Sequence, residues 1–433
     1  MNRKRARYIR GILRQGPTEA GYAFFRARRR RRNIADSELE LTPSDRDALR
    51  LLRRYDLDAA ALQENARAVA AARAAPPGDV GSITWLIPFF HLVYGGGPHT
   101  LLRFADHFAR EHGVASRFHL YDRDEERVAR GIAEKIAQAF PALAGAPVTT
   151  ASRPPPAADV AIATTWDSAF ALAALDTARA KLFFVQDFEP DFYPAGSMSA
   201  LLGQVAGFGF PAIVNTPGLA ESYRALGAPA VAFEPAVDTA RYRPPAEPRA
   251  SASGGPVRIF FYARPATPRN AFALGLQTLA RVSERHGGGV EIVCAGEDWD
   301  PGQYGFADRL RNVGMLEDLD AVAELYRSCD IGLVFMLTHH PSYQPLEFMA
   351  SGIATVSNAN PHTAWLLRHE HNALLAPPLP ALVAEQVSRL VQDPALRERI
   401  AAAGLAHVRG LDWSAQIEHV WGAITGAGPA RFE

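Results

Sequence analysis

Long apolar runs are missing from the 433 residues. None approaches the ~18–20 residues of a membrane-spanning helix, so the chain is not expected to cross a bilayer. Cysteine is scarce: Cys294 and Cys329 are the two present. With no partner pattern, they exclude a disulfide framework and a thiolate metal site, and both read as core residues compatible with a reducing cytosol. The opening, Met1 to Arg14, is basic but has no apolar core behind it, which gives the expectation of a cytoplasmic chain without a secretory signal. Short-period repeats are also lacking. Net charge is zero, yet it is unevenly spread. Arg3, Lys4, Arg5, Arg7, Arg10, Arg14 and Arg26, then Arg28 through Arg32, face a single Glu19, and the remainder is acidic in compensation. Such a cluster suggests an anionic surface as partner. Few aromatics interleave with the basic run, which argues against nucleic acid.

What is present suits a two-domain enzyme. Hydrophobic residues make up 48% and charged residues 21%, which is ordinary for a globular protein, and the length allows two separate cores. The N-terminal segment 1–78 is expected to be helical: residues 1–75 contain no strand-like run. Ala48, Leu51, Leu52 and Tyr55 recur at helical spacing and alanine is dense from Ala59 to Ala75, so a helical preface is expected, ended by Ala75 to Gly78. The pattern then alternates. Strands are expected at Ile83–Ile87, Arg117–Tyr121, Val160–Ala163, Leu182–Val185, Ala212–Asn215 and Val231–Phe233, with helices between most of them, making a first domain over 79–245. Pro244 to Pro256 has the composition of a linker. A second series over 256–410 has strands at Val257–Ala263, Val290–Ala295, Ile331–Phe335 and Ala354–Ser357. A last amphipathic helix around Trp413, Ile417, Val420 and Trp421 occupies 411–433. Strands alternating with helices imply parallel sheets covered on both faces.

Four segments carry candidate chemistry. Gly95, Gly96 and Gly97 lie between the first strand and its helix, where glycine lets backbone N–H groups approach an anion; a tight turn would use the same residues. The spaced glycines of a dinucleotide fingerprint are absent there. Arg264 and Arg269 occupy the corresponding loop of the second domain and are placed to grip a diphosphate, though arginines of a solvated loop also pair with carboxylates. Gln186, Asp187, Glu189, Phe192 and Tyr193 follow a strand's carboxyl end, where aromatics pack on a sugar ring and carboxylates bind its hydroxyls; a capped turn with core aromatics is the plainer alternative. His339, His340, Ser342 and Tyr343 lead into a helix with Pro345 near its start and Glu347 in its first turn, where a carboxylate also complements the helix dipole. Adjacent histidines chelate poorly, and no further ligand set is evident. Asp122-Arg123-Asp124, Asp298-Trp299-Asp300 and Asp318-Leu319-Asp320 each match a metal-binding Asp-x-Asp string, but each lies where caps and turns favour Asp, so none is assigned to metal.

From Val257 to Val420 the sequence resembles the family 4 glycosyltransferases. Ala263-Arg264 with Arg269 is similar to that family's diphosphate-gripping Gly-Arg and Lys. Val313-Gly314, Leu325-Tyr326 and Ser328-Cys329-Asp330 resemble the stretch flanking the nucleobase, and Pro345 to Gly352 resembles its Pro-Leu-Glu-Ala-Met-Ala-x-Gly. His339 stands where the family usually places a Glu facing the donor sugar. Combined with Gln186 to Pro194, the His339 to Tyr343 segment resembles WsaF-type bacterial rhamnosyltransferases over about Thr84 to Trp421.

The resemblance implies a GT-B architecture: two Rossmann-like domains facing a cleft, here with a helical N-terminal preface. It implies dTDP-L-rhamnose as donor, bound through Gly96, Gly97, Glu347, His339, His340, Ser342 and Tyr343, with Glu347 on the ribose. It implies a growing surface glycan or lipid-linked glycan as acceptor, presented over Gln186, Phe192 and Tyr193, and a final helix crossing back to the first domain. Arg264 and Arg269 are then the groups that stabilise the leaving diphosphate, without metal. Retention of configuration is the family's outcome, by front-face attack or with Asp187 or Glu189 as general base. A nucleotide-sugar epimerase of the same fold and a non-enzymatic two-lobed sugar-binding protein are the competing expectations.

Overall fold

The computed structural model describes residues 43–54, 57–74, 78–247, 249–340 and 342–433. The chain divides into two units, 1–50 and 51–433. Of the first, only the opening of the helix Pro43–Arg54 lies among the described residues. The basic cluster Arg3 to Arg32 and most of the Ala75–Gly78 break lie outside them. The second unit begins within that helix, adds a helix at Ala59–Ala74, and holds both sheets. Among the described residues, no helix is long and apolar enough to cross a membrane.

The first sheet comprises β1 (Ser82–Ile87), β2 (Ala115–Leu120), β3 (Val148–Thr150), β4 (Ala158–Ala163), β5 (Ala178–Val185), β6 (Ala212–Asn215) and β7 (Ala230–Phe233), in the order β3-β2-β1-β4-β5-β6-β7. The second comprises β8 (Val257–Ala263), β9 (Val290–Gly296), β10 (Arg311–Asn312), β11 (Ile331–Val334), β12 (Ala354–Asn358) and β13 (Leu374–Ala376), in the order β10-β9-β8-β11-β12-β13. Every pairing in both is parallel. The central strands are apolar on both faces because helices cover both: Ile83, Trp85, Leu86 and Ile87 are all buried, as are Ile331, Leu333 and Val334. This is the pair of Rossmann-like domains expected above. Three strands were not anticipated. β3, β10 and β13 are only two or three residues long, too short to show a periodicity.

Strand order fixes where a ligand fits. β1 lies between β2 and β4, and β8 lies between β9 and β11. The chain leaves such neighbouring strands toward opposite faces, which opens a crevice beyond their carboxyl ends. The loops after β1, β4, β8 and β11 border these crevices.

Two tethers join the domains. The stretch with linker composition is fastened along the second domain rather than loose. Arg249 donates from Nε to the Arg327 carbonyl (3.1 Å) and from Nη2 to the Ser351 carbonyl (2.8 Å), and Ser251 donates to Asp330. The helix Trp413–Thr425 returns to the first domain, where Ile417, Val420, Ala423 and Ile424 enter its core beside Phe104 and Phe108. Beyond that helix, Glu433 exchanges backbone hydrogen bonds with Ala230 of β7.

Candidate active site in the interdomain cleft

A cavity of about 570 Å³ lies between the two domains. From the first domain it is lined by Gly95, Gly96, Gly97, Gln186, Asp187, Glu189 and Phe192; from the second by Arg264, Arg269, His340, Ser342, Tyr343 and Glu347. Residues as far apart in sequence as Gly95 and Glu347 thus converge on one site. His339 and Tyr193 do not line it. His339 turns toward Asp191 Oδ2 (3.1 Å from its Nδ1) and packs on the rings of Phe188 and His362 at 4.6 and 3.8 Å. Its neighbour His340 faces the cavity instead. Tyr193 packs edge-on against Trp166 at 6.2 Å, so of these two neighbours only Phe192 lines the cleft.

The glycine loop opens the helix Gly96–His112 and packs against Tyr343 of the second domain. A Cβ on Gly96 would already touch the Tyr343 ring at 3.5 Å. Gln186 donates from Nε2 to the Gly97 carbonyl (3.0 Å). It is a brace between β5 and the loop as well as part of the wall.

In the loop after β8, Arg264 donates from Nε to Glu297 Oε1 (3.2 Å), and Glu297 Oε2 accepts the Ala266 N–H (2.9 Å). This carboxylate, unrecognised in the sequence, sets the loop's shape. Gly296 before it has φ of 135°, and a Cβ there would lie 2.7 Å from the Ala263 carbonyl oxygen, so only glycine allows the contact. Arg269 stacks its guanidinium 4.2 Å from the Phe192 ring centroid, reaching the first domain. Burial weakens its hold on its proton, and Asp187 partly offsets that.

The loop after β11 crosses the cleft. Thr338 donates to Asp187 Oδ2 (3.0 Å), the Asn215 amide lies 2.8 Å from His340 Nε2, and the Tyr343 hydroxyl bonds Thr100. Ser342 holds φ at 61°, its N–H donating to His340 Nδ1 (2.9 Å), and Thr216, next to Asn215, holds φ at 105°. Non-glycine residues in this region are strained, and such strain persists where surrounding contacts enforce it. Glu347 follows in the helix Gln344–Ala350. Phe348 beneath it lies on Gly332 of β11, where a Cβ would come within 2.4 Å of the ring.

Three half-buried carboxyls share the cleft, and desolvation raises each. Glu347 rises to about 7, held back by the Tyr242 and Tyr326 hydroxyls. Asp187 rises to about 6 despite hydrogen bonds from the Phe188 N–H and Thr338. Glu189 rises to about 8, although its Oε2 accepts the Trp166 N–H at 2.7 Å. His340 falls to about 3 through desolvation and Arg269, so its ring is neutral.

Several lining residues carried no readable signal. Arg103, one helical turn beyond Thr100, stacks 5.0 Å from the Trp413 ring centroid, and His99, Asp238, Arg241 and Tyr242 also line the cavity. Helical spacing from Gly96 is the one clue that would have found Arg103. Two of the three Asp-x-Asp strings act as turn or helix caps, while Asp122 binds the loop after β1. Asp122 accepts the Phe89 N–H, Asp300 the Gly302 N–H and Asp318 the Asp320 N–H.

Residues 257–388 match the family model of the WsaF C-terminal domain. Over 371 residues the chain is 43% identical to the O-antigen biosynthesis protein RfbC of Myxococcus xanthus, an alignment covering 84% of this chain and 28% of that protein. The chain thus spans little more than a quarter of that relative's length. The solved structure of HepE from Anabaena in complex with UDP and glucose superposes with a TM-score of 0.61 at 13% identity, covering 80% of this chain and all of that one. Sucrose-phosphate synthase from Thermosynechococcus elongatus gives 0.61 at 15% identity with the same coverage. These two share the fold, the GT-B arrangement of facing Rossmann-like domains.

The carboxyl shifts have a measurable consequence. Glu189 has its folded-state pKa raised above the ordinary 4.5, so the native state keeps a proton that the unfolded chain releases. Its contribution is fully present below about pH 4.5 and is lost as pH climbs toward about 8. Glu189→Gln keeps the acceptor for the Trp166 N–H and removes the ionisation. The variant should match wild type in thermal melts at pH 5 and exceed it at pH 9 by about 1–2 kcal/mol, less than the full shift because the group opens onto cleft water. A stability difference independent of pH would show that Glu189 ionises normally.

Proposed function

Because residues 257–388 carry a WsaF-type C-terminal domain within a GT-B architecture, we propose that the chain is a glycosyltransferase that moves a sugar from a nucleotide diphosphate to a growing bacterial surface glycan. The observation that carries this reading is the convergence of Arg264, Arg269 and Glu347 with the first-domain loops on one cavity. Two guanidiniums at the switch point between β8 and β11 supply positive charge where a diphosphate leaving group would gain negative charge. That provision makes metal-independent transfer the reading we favour. In this reading Glu347, flanked by Tyr242 and Tyr326, would bind the ribose hydroxyls, and the first-domain wall of Asp187, Glu189 and Phe192 would present the acceptor.

The two acceptor-side carboxyls differ. At neutral pH Glu189, pushed up to about 8, is mostly protonated, whereas Asp187, at about 6, is mostly ionised. Asp187 also faces Arg269 and is therefore the better base of the two; front-face attack, with the departing diphosphate taking the acceptor proton, is the other route to retention. For the donor we propose dTDP-L-rhamnose. The Tyr343 ring and the neutral His340 line the cavity, and an uncharged aromatic wall suits the methyl group of a 6-deoxy sugar better than a carboxylate would. The basic cluster Arg3 to Arg32 would hold the enzyme at an anionic membrane surface beside a lipid-linked acceptor, at about 1 kcal/mol per engaged residue.

Three measurements test the reading. In steady-state kinetics with varied donor, Arg269→Ala and Arg264→Ala should lower kcat by ~100-fold or more, since their contacts strengthen as charge develops, and lysine should rescue only partly. Glu347→Gln should mainly raise KM, because the ribose does not change charge during transfer. Arg264→Ala also strands Glu297, so its ligand-free melting curve must match wild type before its rate is read. If both folded arginine variants keep wild-type kcat, the loop does not hold the leaving group. In calorimetry, dTDP-L-rhamnose should bind more tightly than UDP-glucose or GDP-mannose; the reverse order would refute the rhamnose assignment and leave the fold untouched. In liposome flotation with anionic vesicles at low salt, the full chain should float and a chain starting after Arg32 should not.

A further inference from the structure

Outside the cleft, two histidines and a glutamate converge where the final helix docks on the first domain. We propose that His107, His112 and Glu418 form a structural transition-metal site, of the kind that takes Zn²⁺, clipping the helix Trp413–Thr425 to the helix Gly96–His112.

The donor atoms are already assembled. His107 Nε2 and His112 Nε2 lie 2.6 and 2.9 Å from the same carboxylate oxygen, Glu418 Oε1. The three donor atoms fall within 4.8 Å of one another, the one such group of three or more His, Cys, Asp or Glu residues among the described residues. Tetrahedral zinc holds nitrogen and oxygen ligands at ~2.0–2.2 Å, which sets donors roughly 3.3–3.6 Å apart. The two short contacts therefore need to open by less than about 1 Å to admit an ion. Both rings are held in place beforehand. His107 is 4% exposed, and His112 stacks on Trp421 with centroids 4.4 Å apart and planes 19° apart. Glu418 and His112 retain side-chain exposures of 45% and 24%, leaving an entry path and room for a water as fourth ligand.

The donor set selects the ion. Two imidazole nitrogens and one carboxylate oxygen suit a borderline ion such as Zn²⁺ rather than Mg²⁺ or Ca²⁺, which take oxygen shells. Position separates this site from glycosyl transfer. At ~1.5 Å per residue, His107 stands roughly 16 Å along its helix from Gly96 at the cleft. The consequence is mechanical: an ion here joins residues 311 apart in sequence and fixes the helix whose Trp413 reaches the cleft wall.

The full chain, freed of metal by dialysis against a chelator, is titrated with Zn²⁺ by calorimetry and with Co²⁺ by visible absorption. One equivalent should bind, Co²⁺ should give the d–d bands of a four-coordinate site, and the melting temperature should rise with Zn²⁺ and fall back with EDTA. H112Q and E418Q should each weaken uptake by ~100-fold or more, beyond the ~10–100-fold typical of losing an outer-shell partner. Both variants should melt like wild type in EDTA; H112Q, at a partly exposed position, keeps the test open if E418Q perturbs packing. Absence of saturable uptake by wild type would overturn the site. Equal uptake by wild type and both variants would also overturn it, by placing the ion elsewhere, such as beside His339, His362 and Asp191.

Discussion

Parallel pairing in every strand of both sheets is the constraint on which this molecule depends. Parallel strands cannot be joined by tight hairpins, so every connection crosses over through a helix or long loop, and every strand delivers its carboxyl end to one edge. The reversal of strand order around β1 and around β8 then leaves a gap at each edge that backbone does not fill. Facing the two edges toward each other merges the gaps into one cleft. Gly95 to Gly97, Asp187 to Phe192, Arg264, Arg269 and Glu347 meet because of this geometry, not because of any local sequence preference.

The domains are held by two kinds of force. The final helix buries Ile417, Val420, Ala423 and Ile424 in the first-domain core. At about 1.5–3 kcal/mol for each fully buried large apolar side chain, that docking is far stronger than any one polar contact. Across the cleft, by contrast, run single hydrogen bonds such as Thr338 to Asp187 and Asn215 to His340, each worth about 0.5–1.5 kcal/mol net. The joint is firm where the final helix docks and weak across the cleft. Thr338, His340 and Tyr343 both line the cavity and make these contacts across it.

Much of this was legible in the sequence, for reasons that also explain what was not. Central strands such as Ile83–Ile87 and Val257–Ala263 are continuous apolar runs because both faces are covered, and their positions emerge within two residues or fewer at most ends. Edge strands β3, β10 and β13 carry no such signal, because two or three residues show neither run nor alternation. Loops at strand ends identified Arg264, Arg269, Asp187 and Glu347 as neighbours of a site, since topology alone sends them there. Which of two adjacent residues faces the cavity was not legible. His339 and His340 are chemically identical in sequence, and the choice is made by tertiary partners: Asp191, Phe188 and His362 for one, Asn215 and Ser342 for the other. Glu297 escaped notice because its importance is a contact to the neighbouring loop, made possible by the backbone of Gly296.

The electrostatics of the cleft give the final step. Asp187, Glu189 and Glu347 are pushed toward their neutral forms, and Arg269 is weakened as a cation, all by desolvation in the same narrow space. A site composed only for stability would pair such groups closely or replace them with apolar side chains. Here Arg264 is paired with Glu297, while Arg269 rests on the Phe192 ring with the Asp187 charge as its main favourable influence. The positive charge of Arg269 is therefore left available on the cavity side. The contacts of Thr338 and His340 border the same desolvated space.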